Sequence, residues 1–194
     1  MSSIENPTRK RILETTWKLL EKGGASAVRM SDIAKAAKIS RQALYLHFPN
    51  RAELLVATTR YLDEVHDIQS QLVASRAAET GEERLREWVI VWGNYIPRIY
   101  GIAKALMAMQ DSDAEAAAAW EGRMQAVREG CAAAVEALAR DGALSPELSE
   151  KEATDLLWSL LSVRVWEHLC IDCGWEQDRF IAHMQRTLAR VLIA

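Results

Sequence analysis

Four prolines and nine glycines in 194 residues leave this chain few places to break a helix or turn a tight corner. With Ala, Leu and Glu abundant, that scarcity favours an all-α protein over collagen-like or low-complexity chains. No alternating apolar pattern suggests a strand, and no internal repeat is visible. Long apolar runs are missing too. The longest uncharged stretch, Trp88 to Pro97, is too short to span a bilayer. The opening residues MSSIENPTRK hold no apolar signal core, so a soluble, cytoplasmic protein with no membrane partner is expected. The three cysteines are then expected to be reduced thiols. A Gly-rich phosphate loop, an HExxH pair and a G-x-S-x-G elbow are all absent, so nothing points to an enzyme. Cys170 and Cys173, near His168, form a lone C-x-x-C with no second pair for a four-ligand zinc site. They read as packing thiols of an apolar helix, with a thiol redox role as the alternative. No metal or cofactor is expected.

Charge is unevenly spread. Residues 1–51 hold ten Lys or Arg against four acids, a net +6, which leaves −9 for the remainder of a chain whose total is −3. A basic head on an acidic body suits a head that meets a polyanion. Within that head, Val28 to Leu55 reads as two short helices, a tight turn and the start of a longer helix. Ile33, Ala34 and Ala37 share one face. Ser40 is placed to cap the next helix, Arg41 to about Phe48, whose Leu44 and Phe48 share an inner face. Arg41, Gln42, Tyr45 and His47 fall on the outer face. Pro49 stops that helix, and Asn50 with Glu53 resembles a capping box for the next. Two small helices at an angle, the second polar outside, form the helix-turn-helix layout for the DNA major groove.

These residues carry a family resemblance. Ile33-Ala34, Ala37, Ile39-Ser40, Leu44-Tyr45, His47-Phe48 and Glu53-Leu54 resemble the DNA-binding head of tetracycline-repressor-type (TetR) transcriptional regulators. The helix from Arg11-Ile12-Leu13 to Gly23-Gly24 is similar to the family's first helix. Two departures stand out. Arg29 occupies the position where family members place a capping Ser or Thr, and a cation there opposes the helix dipole. Lys38 stands where Gly is usual in a left-handed turn, at a cost of about 1–2 kcal/mol. Ser31 sits where the family often contacts DNA. Arg51 replaces a frequent Lys at the start of the fourth helix, keeping a cation where phosphates are expected. Arg9, Lys10 and Arg11 cluster where relatives approach the DNA backbone.

About nine helices are expected. The first runs from about Pro7 to Lys22 and the fourth from about Arg51 to Ala78. The fifth is broken or kinked by Pro97 and the sixth reaches about Met109. A seventh ends before Gly142, an eighth covers about 150–172 and a ninth about 175–193. The domain division is 1–51 for DNA binding and 52–194 for ligand binding and dimerisation. Trp88, Trp92, Tyr95, Met107, Trp120 and Met124 fall on helices that, by the resemblance, surround a cavity for a small apolar or aromatic effector. Trp158, Leu161, Val165 and Leu169 form one apolar seam, and Phe180, Met184 and Leu188, continuing to Val191, form another. Together they suit half of a symmetric four-helix dimer interface.

The resulting expectation is a dimeric, ligand-responsive DNA-binding regulator, acting as a repressor on a palindromic double-stranded operator. Arg41 and Gln42 would read bases, and Ala43 would meet a thymine methyl. Ser31, Tyr45, His47 and Arg51 would hold phosphates. The alternative is a DNA-binding regulator without a small-molecule effector, controlled by a protein partner or by thiol redox.

Overall fold

The computed structural model describes residues 6–23 and 28–194. Gly24, expected to help end the first helix, and most of the polar stretch 1–7 lie outside those residues. The helices are α1 Pro7–Gly23, α2 Met30–Ala36, α3 Arg41–His47, α4 Arg51–Val65, α5 Ile68–Gln71, α6 Val73–Ala77, α7 Gly81–Met109, α8 Ala114–Arg140, α9 Glu150–Leu160, α10 Val163–Trp166 and α11 Gln177–Leu192. A π-helical turn, Glu167–Asp172, follows α10. Among the described residues there is no strand, only a bridge between Leu144 and Ile193. The all-α fold expected from composition is therefore the one observed. The chain packs as two compact units. The first combines the residues up to His66 with Ile99–Met124, and the second combines Asp67–Arg98 with Gln125–Ala194.

Helix starts follow local capping chemistry. Ser40 accepts from the Ala43 amide at 3.0 Å, and Asn50 accepts from the Glu53 amide at 2.8 Å. Ser149 and Glu152 close a full capping box. Asp113 Oδ1 accepts from the amides of Glu115 and Ala116, both at 3.1 Å, and so caps α8. Arg29, as its chemistry requires, makes no side-chain cap on α2.

Three expected helices differ in the structure. The segment 51–78 is divided, because Asp67 adopts a left-handed conformation (φ 47°) that an α-helix cannot propagate. The segment 150–172 breaks at Leu161, whose carbonyl accepts the Trp92 indole N–H at 2.7 Å, while Ser162 caps α10. Pro97 was expected to break or kink its helix; it does not break it, and α7 runs through it. Proline removes the amide that would serve the carbonyl four residues earlier, on Gly93. The Gln177 side-chain amide donates to that carbonyl at 2.9 Å instead. Gln177 also accepts the Trp166 indole N–H at 2.8 Å, which fixes its orientation.

Each unit has its own core. In the first, Ile12, Leu13, Ile33, Leu44, Phe48, Leu54 and Tyr61 are buried. The Tyr61 hydroxyl donates to Glu14 at 3.0 Å; burial, and then that carboxylate, push the phenol up to about 12. In the second, α7 crosses α8 so closely that a Cβ on Gly81 would meet the Leu138 backbone nitrogen at 2.5 Å. Trp88 lies against Gly130, where a Cβ would come 2.1 Å from its ring.

Lys38 sits in the α2–α3 turn with φ 55°. The Ile39 amide reaches Ala34 O at 3.0 Å and the Lys38 amide reaches Lys35 O at 3.2 Å, the two bonds of a Schellman turn with Lys38 in its left-handed position. Lys38→Gly is expected to relieve about 1–2 kcal/mol of strain. The glycine returns about 0.5–1 kcal/mol of that through unfolded-state entropy. The net gain of roughly 0.5–1 kcal/mol is checked by thermal unfolding of the free protein. An unchanged midpoint would show that the turn carries no net strain.

Candidate functional site

The α2–turn–α3 element is built around one buried face. Ile33 and Ala34 of α2, with Ala37, Leu44 and Phe48, are inside. Arg41, Gln42, Tyr45 and Leu46 are left outside, and Ala43 and His47 are half-buried. Ser31, on α2, is exposed as well. Leu46 is 82% exposed, the most exposed of the large apolar side chains on an otherwise polar face. Sequence reasoning passed over it because it lies outside the apolar period; an isolated large apolar residue in the polar arc of a helix was the available signal.

Arg9 has a different place from the one expected. Its guanidinium lies 4.0 Å above the Phe48 ring and donates to the His47 carbonyl at 2.7 Å. The last carbonyls of α3 thereby gain a cationic donor. Arg9 holds the end of the recognition helix to α1.

Arg51 is also placed otherwise. Its side chain is only 13% exposed. Nε donates to the Val28 carbonyl at 2.7 Å, while Nη1 reaches Asp113 Oδ2 at 2.8 Å and Glu115 Oε2 at 3.1 Å. Burial works against the Asp113 charge, but Arg51 and the amides of Ala116 and Glu115 outweigh it and hold the carboxyl below its usual range. An open groove of about 610 Å³ lies here, with Arg29, Ser31, Arg41, Tyr45 and Arg51 on its wall together with Asp113 and Glu115. The head thus gathers Ser31, Arg41 and Tyr45 on one surface, while Arg51 is engaged inward.

The six aromatic and Met candidates for an effector site do not share one unit. Trp88, Trp92 and Tyr95 are buried in the second unit, where the first packs on Gly130 and the second caps the carbonyl of Leu161. Met107, Trp120 and Met124 belong to the first unit. Of these, Trp120 lines an apolar crevice with Thr59 and Leu62 of α4, Ile99, Ile102, Ala103 and Leu106 of α7, and Arg123. The crevice holds about 10 Å³, barely the room of one water. Arg123 pairs with Asp63 at 2.7 Å beside it.

Of the expected interface seams, Phe180 and Leu188 have no exposed surface, Met184 6% and Leu161 1%. They face the core of the second unit. A residue with no surface cannot meet a partner, so Phe180, Met184 and Leu188 form an internal seam, and of the residues read on α11 only Val191 presents surface. Trp158, Val165 and Leu169 are half-buried and do present surface, as do the exposed Ile171 and Val191. Arg128 lies over the Trp158 ring at 5.3 Å. Among the thiols, burial pushes Cys131 up to about 12 and raises Cys170 as well, which withholds thiolate from both near neutral pH. No cluster of metal-ligating side chains occurs among the described residues, and no described helix is long and apolar enough to cross a membrane.

An all-α chain whose first helices form a capped helix-turn-helix, with the recognition helix bare on its outer face, defines the class of helix-turn-helix proteins. Residues 12–58 match the family model of bacterial regulatory proteins, tetR family. The HTH-type transcriptional regulator TtgR of Pseudomonas putida is 37% identical over 76 residues, covering 39% of this chain and 34% of that protein. The match thus spans about a third of this relative's length. FadR of Bacillus subtilis, solved in complex with stearoyl-CoA, superposes with TM-score 0.74 at 14% identity, covering 94% of this chain and 98% of that one. NalD, the secondary repressor of the MexAB-OprM multidrug efflux pump in Pseudomonas aeruginosa, gives 0.68 at 20% identity, covering 96% of each chain. Residues 12–58 thus form a segment of the tetR-family type, and these matches support a regulator of that type.

Proposed function

We propose that this chain is a transcriptional repressor that binds a palindromic operator as a homodimer and is released by a small, largely apolar effector. The functional division we propose is 1–51 for DNA and 52–194 for effector binding and dimerisation. The observation that carries the reading is the α3 surface: Arg41 and Gln42 exposed for base edges, with Ser31 and Tyr45 beside them for phosphates. Ala43, half-buried, and the exposed Leu46 supply apolar contact for thymine methyl groups, and His47 stays a phosphate candidate. Trp158, Val165 and Leu169, with Ile171 and Val191, are the surface we assign to the partner protomer.

The effector site we assign is the crevice at Trp120, with Met107 and Met124 in the same unit. Its walls are apolar apart from Thr59 and the Asp63–Arg123 pair. The stearoyl-CoA bound by FadR supports an effector with a large apolar part. The crevice shares α4 with the head, since α4 starts at Arg51 and supplies Thr59 and Leu62. A molecule that widens the crevice therefore displaces α4. Coupling of about 1–3 kcal/mol would change operator affinity roughly 5- to 150-fold.

The test has two parts. Selection from random duplex DNA should return an inverted repeat with half-sites about one helical turn, or a small multiple of it, apart. Apolar and aromatic metabolites are then screened by tryptophan fluorescence, and ligand affinity is measured with and without operator. Linkage requires operator to weaken the effector by the factor the effector weakens operator. A binder indifferent to operator is not the effector. One observation favours a second reading, a regulator without a small-molecule effector and controlled by a protein partner. The crevice is narrow, and Trp88, Trp92 and Tyr95 are already spent on packing. If every tight binder proves indifferent to operator, that second reading replaces the first.

A further inference from the structure

The Arg51 cluster serves no purpose yet described. A cation at the first residue of α4 opposes the helix dipole, and here it is drawn off the head's surface by two carboxylates from the start of α8. The pairing is incomplete. Asp113 and Glu115 both bind Nη1, Val28 O takes Nε, and Nη2 is buried with no hydrogen-bond partner. A buried, unserved donor is costly, so this arrangement leaves part of the guanidinium's capacity unused. The same cluster borders the groove whose opposite wall carries Arg29, Ser31, Arg41 and Tyr45. Two carboxylates around one guanidinium offer it anionic oxygen acceptors, the same class of partner as a DNA phosphate.

We propose that Asp113 and Glu115 are an internal substitute for a DNA phosphate at Arg51, an autoinhibitory contact that operator must displace. The proposal rests on the DNA-binding reading above. In the free protein the carboxylates hold Arg51 and put negative charge beside the groove. On DNA a phosphate takes the guanidinium, and the two carboxylates turn to solvent. Because α8 also carries Trp120 to the crevice, the contact gives an effector a direct hold on the head.

The test uses the full-length protein and the duplex selected by the wild type. Asp113→Asn keeps an oxygen to cap α8 while removing charge, and Glu115→Gln does the same for the second acid. The double variant is expected to bind operator about tenfold more tightly. Arg51→Gln alone should flatten the plot of log affinity against log salt by about 0.9 per half-site, the mark of one lost phosphate contact, whereas the double variant should keep the wild-type slope, since Arg51 meets a phosphate in both complexes. In an Arg51→Gln background the same two changes should give no gain in affinity. Glu121→Gln, an exposed acid on α8 outside the cluster, should leave both quantities unchanged. A gain that persists without Arg51 would show long-range repulsion instead and overturn the proposal, as would an Arg51→Gln variant with the wild-type salt slope. Should Asp113→Asn unfold the protein, Glu115→Gln alone must still show a smaller gain that depends on Arg51, and its absence would be equally decisive. A wild type that selects no sequence would sink the DNA-binding reading, whereas normal selection with unaffected variants would sink this contact alone.

Discussion

Arg41→Ala is expected to relax base preference at one position of each half-site. It should cost about 1–3 kcal/mol for each bidentate pair lost. Two half-sites far enough apart to act independently would double this to about 2–6 kcal/mol per operator. The size follows from where α3 puts the residue. Ser40 caps the helix, so Arg41 is its first residue, exposed and beside the groove shared with Ser31 and Tyr45. The first turn of a recognition helix is the part that meets base edges. Arginine's planar fork matches guanine N7 and O6, so the loss should concentrate on operators carrying guanine there. Tyr45→Phe gives the contrast, a loss shared by all sequences, because a phosphate contact carries no base information. The measurement is competition binding at one fixed salt concentration against operators altered one position at a time. If Arg41→Ala weakens every operator equally, Arg41 is a phosphate contact and base readout passes to Gln42.

The second large effect concerns α11. Phe180→Ala should lower the unfolding free energy by about 3–5 kcal/mol, the usual cost of emptying a buried aromatic site. Its ring has no exposed surface and approaches α7 so closely that a Cβ on Gly93 would lie 3.9 Å from it. Because this contact is internal to one protomer, the loss should be the same at every protein concentration. Val165→Glu is expected to behave in the opposite way. It is half-buried and lies on the surface assigned to the partner, so with this charge sedimentation should show monomers whose fold is intact. A concentration-dependent loss at Phe180 would return α11 to the interface.

Comparing residues shows what the sequence could reveal. Ser40 and Asn50 were legible as caps because each acts on an amide three residues away. The turn at Lys38 was legible for the same reason: its strain belongs to one residue and its bonds to the preceding turn. Arg51 was not, because its carboxylate partners lie 62 and 64 residues along the chain. Charge at a helix start announces an appetite for anions without saying whether a phosphate or a carboxylate meets it. Helical periodicity likewise placed Phe180, Met184 and Leu188 on one apolar face. It could not say whether that face is covered by the same protomer or by another. The same limit applies to the tryptophans, whose size marks a large apolar environment but not whether it is filled.

The continuity of α7 through Pro97 has a consequence for how the chain is made. The amide that completes the turn at Gly93 belongs to Gln177, 84 residues later. A ribosome releases residues in order, so α7 emerges and samples its conformations long before that amide exists. Until Gln177 arrives, the Gly93 carbonyl must turn to water, and water access at that turn favours a bend. The segment that opens the last helix therefore supplies an earlier one with its missing donor as it docks. A chain cut short before Gln177 would lose more than α11, because the middle of its longest helix would be left without its internal donor.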